Sequence, residues 1–168
     1  MPITPFHFGA GAALHAVAPR RVSFLAFCVA NCLTDCETIY NVLWGGPPLH
    51  RLAHTFVGAT VLALATTGLF IAARKLATRT SLPDPFHWQR LQTTAVAIGA
   101  TLGTYSHIVL DGIMHADVRP FAPWRDDNPF YRMIGVGALH WSCVIAGAIG
   151  VAMFFLRDAY QTRRDPPV

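Results

Sequence analysis

Apolar residues gather into five stretches, separated by turn-forming or charged segments. The first, about Pro5 to Ala18, is too short to cross a bilayer and ends at the basic break Pro19-Arg20-Arg21. A second runs from about Val22 to Trp44 and stops at Gly45-Gly46-Pro47-Pro48, a strong turn signal. A third, about Ala53 to Ala73, precedes Arg74, Lys75, Arg79 and a polar linker reaching about Gln92. The fourth spans about Thr93 to Met114, and a Pro-, Trp- and Asp-bearing loop follows from His115 to about Arg132. The fifth, about Ile134 to Leu156, leads into a charged tail. Lipid offers no hydrogen bonds to a bare backbone, so apolar runs of about 20 residues predict membrane helices. The expected fold is an all-α, integral membrane helical bundle in one domain over residues 1–168, with four transmembrane helices plus a short N-terminal half-spanning helix.

Composition agrees with that pattern. Hydrophobic residues make up 53% of the chain and charged residues 13%, with mean hydropathy +0.39, outside the soluble average. The formal net charge of +4 could point to nucleic acid, but the basic residues flank apolar segments, where anchoring explains them better. No nucleic-acid partner is expected. The first basic residue is Arg20, so the N-terminal stretch does not read as a cleaved signal peptide.

Orientation follows from the basic residues, which are retained on the cytoplasmic side. Arg20, Arg21, Arg74, Lys75, Arg79, Arg90, Arg157, Arg163 and Arg164 fall on one side, against Arg51, Arg119, Arg125 and Arg132 on the other. The Gly-Gly-Pro-Pro turn and the 115–132 loop are therefore expected outside and the C-terminus in the cytoplasm. Cys28, Cys32 and Cys36 recur every four residues, with Cys143 far away, and no CxxC pair appears. Packing between helices is their expected role, ahead of thiolate ligation.

Ionisable groups inside membrane segments are costly and indicate function until a structural partner is found. His7, Asp35, Glu37, His54, His107 and Asp111 are such groups. At 1.5 Å rise per residue, His7 and Asp35 each lie roughly 20 Å from the break joining their helices, so an antiparallel hairpin levels them. His54 opens the third segment, and His107 and Asp111 close the fourth at the same end. Along the fourth segment His107, Asp111 and His115 form a stripe at four-residue spacing, and His50 and His54 share that spacing. Imidazole and carboxylate one turn apart can serve one divalent ion. His15 and His140 read first as helix–helix contacts and His87 as interfacial; Trp124, Trp141 and Tyr131 read as interfacial anchors.

Four motifs follow in order: Thr4-Pro5-Phe6-His7, Thr34-Asp35-Cys36-Glu37, His50-Arg51-Leu52-Ala53-His54-Thr55, and Ser106-His107-Ile108-Val109-Leu110-Asp111. The last continues to His115-Ala116-Asp117. The series resembles the bacterial family of inner-membrane metal-dependent hydrolases, also described as LexA-binding, over most of the chain. More distantly it is similar to the zinc-dependent phospholipase C and single-strand nuclease superfamily. The resemblance implies His7, Asp35, His54, His107 and Asp111 as ligands of one or two divalent ions, zinc by analogy, with Asp111 a candidate bridge. It also implies an inner-membrane location. The chain departs from the pattern at Asp35-Cys36-Glu37-Thr38, where Asp-x-Asp-His is expected, and at His115, where relatives carry Thr.

On that reading Asp35 or Glu37 orients or deprotonates the attacking water, and His50, Arg51 and His115 hold an anionic group at the rim. A site within one leaflet, here the outer half, admits lipids sideways. The expected partners are therefore membrane lipids, and the expected substrate is a lipid-like or amphiphilic phosphoester. Transport of a metal ion or proton, or a non-catalytic scaffold tied by a structural metal, are the rival readings.

Overall fold

The computed structural model describes residues 5–164, excepting the side chains of residues 161–163; Thr4 of the first motif and the C-terminus lie outside them. Among the described residues all regular structure is helical, without strands. Its α-helices are α1 (His7–Val17), α2 (Phe24–Tyr40), α3 (Phe56–Ala77), α4 (Thr93–Met114) and α5 (Val136–Arg164). A π-helical turn, Asn41–Gly45, continues α2, and a 3-10 turn, Leu52–His54, precedes α3.

Local chemistry sets the helix starts. The Ser23 hydroxyl accepts from the Ala26 amide at the head of α2, and Thr55 does the same for Gly58 at the head of α3. The break between α1 and α2 is closed by His15, whose Nδ1 lies 2.7 Å from the Val22 carbonyl. At the far end of α3, Arg74 in the last turn donates to the Leu91 carbonyl at 2.7 Å, tying the helix to the linker before α4. The expected bounds of α4 are met. Helix α3 begins three residues later than its apolar run, because residues 52–54 form the 3-10 turn that carries His54.

Helices α3, α4 and residues Val136–Tyr160 of α5 are long and apolar enough to cross a membrane. Helix α2 has 17 α-helical residues. Helix α4 packs on both α2 and α3, while α5 packs on α1. Small residues allow the close approach: a Cβ at Gly103 would stand 2.6 Å from the Phe27 carbonyl oxygen, so any side chain there pushes α4 off α2. Ala30, Ala63 and Ala100 form an apolar layer across α2, α3 and α4. The outward faces are apolar as well, with Leu64, Leu69, Ile145 and Phe155 more than half exposed, as a surface in contact with lipid requires. Of the cysteines, Cys32 and Cys36 face outward and Cys143 is buried; all four are free thiols.

The loop after α4 folds back over the end of the bundle. Asn128 donates to the Gly112 and His115 carbonyls at 2.8 and 2.9 Å, and the Phe56 amide donates to the Pro120 carbonyl at 2.8 Å. Phe56 meets Phe121 and Phe130 edge to face, and those two rings tilt against each other. This cap carries Asp117 to the mouth of the polar cluster.

Candidate metal centre

Helix α4 supplies the floor of the site. His107 and Asp111 stand one turn apart on its buried face, and Nε2 of His107 lies 3.1 Å from Oδ2 of Asp111. From α2, Asp35 places Oδ1 3.3 Å from the same nitrogen. From the 3-10 turn, His54 brings Nε2 to 3.5 Å from Asp111 Oδ2. One donor atom from each of Asp35, His54, His107 and Asp111 can be chosen so that all lie within 4.8 Å of one another, and all four residues are buried. This cluster can hold a metal ion. Tetrahedral bonds of 2.0–2.2 Å separate neighbouring ligand atoms by about 3.3–3.6 Å, close to the spacings here.

The unpaired nitrogens fit an ion better than they fit each other. Nε2 of His107 and Nε2 of His7 are buried without a hydrogen-bond partner, although carboxylate oxygens stand within 3.4 Å of both. The oxygens are near enough but are not bonded to the ring nitrogens. A shared third partner would satisfy the His107 nitrogen and the carboxylates together, and an unsatisfied buried polar group is otherwise expensive.

The opposite face of each ring is held by the protein. Asn31, one turn before Asp35 on α2, donates its amide to the Phe27 and Gly103 carbonyls at 3.0 and 3.2 Å. Its Oδ1 must therefore face His107, and it lies 3.0 Å from Nδ1. That nitrogen carries the proton, which leaves the lone pair on Nε2 pointing into the cluster. His54 is held in the same manner, with Nδ1 3.5 Å from Glu37 Oε2. Glu37 also accepts the Arg51 and Ala53 amides, each at 3.0 Å, so its carboxylate fixes the turn that presents His54. Glu37 thus acts behind His54. The Thr38 hydroxyl completes this wall, 3.4 Å from His54 Nε2.

His7 converges with the others, its Nε2 3.4 Å from Asp111 Oδ1. Its Nδ1 lies 3.2 Å from Nδ1 of His107. The Nδ1 proton of His107 is directed to Asn31, so this contact does not fix which His7 nitrogen carries a proton. Its buried, unbonded Nε2 facing Asp111 makes His7 a further candidate donor to the cluster.

At the rim, His50 is buried and its Nδ1 sits 3.0 Å from both oxygens of Asp117. Burial, with the His54 ring adding, lowers the His50 imidazole below its ordinary value despite the pull of Asp117. Burial alone would raise the Asp117 carboxyl, but the bond from the His50 ring, the attraction of that ring and the backbone amides together leave the group below the usual carboxylate range. His115 stacks on His50 with centroids 4.6 Å apart. Arg51 is exposed and donates Nε to the Pro48 carbonyl and Nη2 to those of Gly45 and Gly46, so it braces the turn after α2. His140, outside the cluster, stacks on Phe6 at 4.4 Å.

Sequence reasoning missed Asn31, Thr38 and Asp117. Asn31 was recoverable, because it precedes Asp35 by four residues on the same helix face. Asp117 was not, because a folded loop rather than helix spacing brings it to His50. No family model matches the chain, and no curated protein and no solved structure matches it.

Proposed function

We propose that this chain is a membrane-embedded metal-dependent hydrolase that cleaves a phosphate ester of a lipid or amphiphile. The buried cluster of Asp35, His54, His107 and Asp111, with supports behind its histidines, carries the reading. Clustered imidazoles and carboxylates suit zinc or a similar ion. A divalent ion held there supplies Lewis acidity, acidifying water and polarising a phosphoryl oxygen. Asp35 lies against the cluster with one oxygen 3.3 Å from His107, and its carboxylate is the group that orients and deprotonates the attacking water. Glu37 contributes by positioning His54. Arg51 retains Nη1 for an anionic group at the mouth, since Nε and Nη2 serve the turn.

On this reading α2 and its π-helical turn together form a fourth span, from Phe24 to Gly45, and α1 reaches half way. The cluster lies in the outer leaflet of a bacterial inner membrane, with the 74–92 linker and the C-terminus cytoplasmic, following the basic-residue asymmetry. A lipid then enters sideways at the rim. Membership of the inner-membrane hydrolase family is proposed on the motifs alone.

One observation weighs against the transport alternative. Ala30, Ala63 and Ala100 cluster about 10 Å from His107 along α4, and their side chains offer a cation no ligand. The experiment is direct: elemental analysis of detergent-purified protein, then inorganic-phosphate release from short-chain phosphatidic acid and lipid pyrophosphates with and without chelator. Chelator-sensitive release supports the hydrolase. Ion flux into liposomes without release would replace it with transport.

A further inference from the structure

We propose that His50, Asp111 and His115, braced by Asp117, form a second divalent-metal position, so that Asp111 bridges two ions. One donor atom from each of the three lies within 4.8 Å of the others. His50 Nε2 is 4.0 Å from Asp111 Oδ2, the oxygen that also faces His54 and His107. A carboxylate between two such groups fits ions roughly 3.5–4 Å apart, the spacing of two-metal hydrolytic sites.

The support of His50 is that of a ligand. Asp117 accepts from its Nδ1, and Oδ2 of the same carboxylate accepts the Leu49 and His50 amides at 3.1 and 3.3 Å. Ring and backbone are therefore fixed together, with Nε2 turned toward Asp111. This repeats the arrangement at His54, where Glu37 grips the ring and two amides of its turn. Two unrelated stretches of chain build the same carboxylate–histidine support on either side of one aspartate. His115 stacks on His50 at 29° between ring planes, which brings a second imidazole to the same side of Asp111.

The carboxylates divide in the same way: Asp35 and Asp111 are buried with the histidines, whereas Glu37 and Asp117, partly exposed, grip His54 and His50 from behind.

The inference rests on the metal reading of the first cluster, and one experiment separates the two. The full chain, purified in detergent, is stripped with chelator, reloaded with zinc and desalted, and metal per chain is measured; a parallel sample is reloaded with manganese for electron paramagnetic resonance. Two ions per chain and an exchange-coupled manganese spectrum are expected. His115→Ala should fall to one ion with an uncoupled six-line spectrum, at unchanged helicity and elution volume, and His115→Asn serves if the alanine variant misfolds. One zinc per wild-type chain with uncoupled manganese would overturn the second position and leave the first standing. No bound ion in the wild type would overturn both.

Discussion

Oδ1 of Asn31 lies 3.0 Å from Nδ1 of His107, and the Asn31 amide is itself pinned by two backbone carbonyls, so the direction of the His107 lone pair is set from behind. Asn31→Ala removes that orientation without touching any ligand. Metal affinity should fall about 10- to 100-fold, the usual cost of losing an outer support. Competition with a chromophoric chelator reads it, and an affinity equal to wild type would show that His107 needs no such partner.

Asp111→Asn should abolish bound metal and hydrolysis while the protein still inserts. Asn matches the shape of Asp but lacks the charge that offsets a divalent ion, and the apolar helices still drive insertion. His140→Ala should keep both properties, losing only its stacking on Phe6, worth about 1 kcal/mol. Metal content and phosphate release of both variants in one detergent check this; metal retained in Asp111→Asn but lost in His140→Ala would move the site to α5.

Glu37 offers a contrast between two roles. A positioning group behind His54 predicts that Glu37→Gln weakens metal affinity and hydrolysis together, by roughly 10-fold or more. A catalytic base predicts a loss of rate at unchanged metal affinity. Measuring phosphate release at saturating metal distinguishes them, and the positioning role fails if the rate alone collapses.

His7→Gln tests the donor at the other edge. The buried, unbonded Nε2 of His7 faces Asp111, so its loss should lower metal affinity, but less than His107→Gln, which removes a nitrogen facing two carboxylates. Metal affinity equal to wild type in His7→Gln would show that His7 is not a ligand.

Topology is open to labelling from each side of intact cells, in a background with the four native cysteines replaced. Phe86→Cys, in the exposed linker between α3 and α4, should react only after permeabilisation, and Asp126→Cys in the capping loop should react from outside. The reverse pattern would invert the protein and place the cluster at the cytoplasmic face.

The sequence by itself determined the helices and the end of the bundle that holds the chemistry. Lipid forces every backbone group to bond within its own segment, so length and hydropathy decide α3, α4 and α5 without knowledge of their neighbours. Fixed rise along antiparallel helices likewise brought His7, Asp35, His54, His107 and Asp111 to one depth, where they meet. What only the tertiary structure decided is the division of labour among them. Which nitrogen of His107 faces the cluster depends on Asn31, whose own orientation depends on the α2–α4 approach at Gly103. Whether Glu37 faces the cluster or stands behind His54 depends on two amides of a turn with no regular spacing. Asp117 reaches His50 only because the loop after α4 folds back across the bundle. Such roles are fixed by hydrogen bonds between residues remote in the chain, and no local periodicity records them.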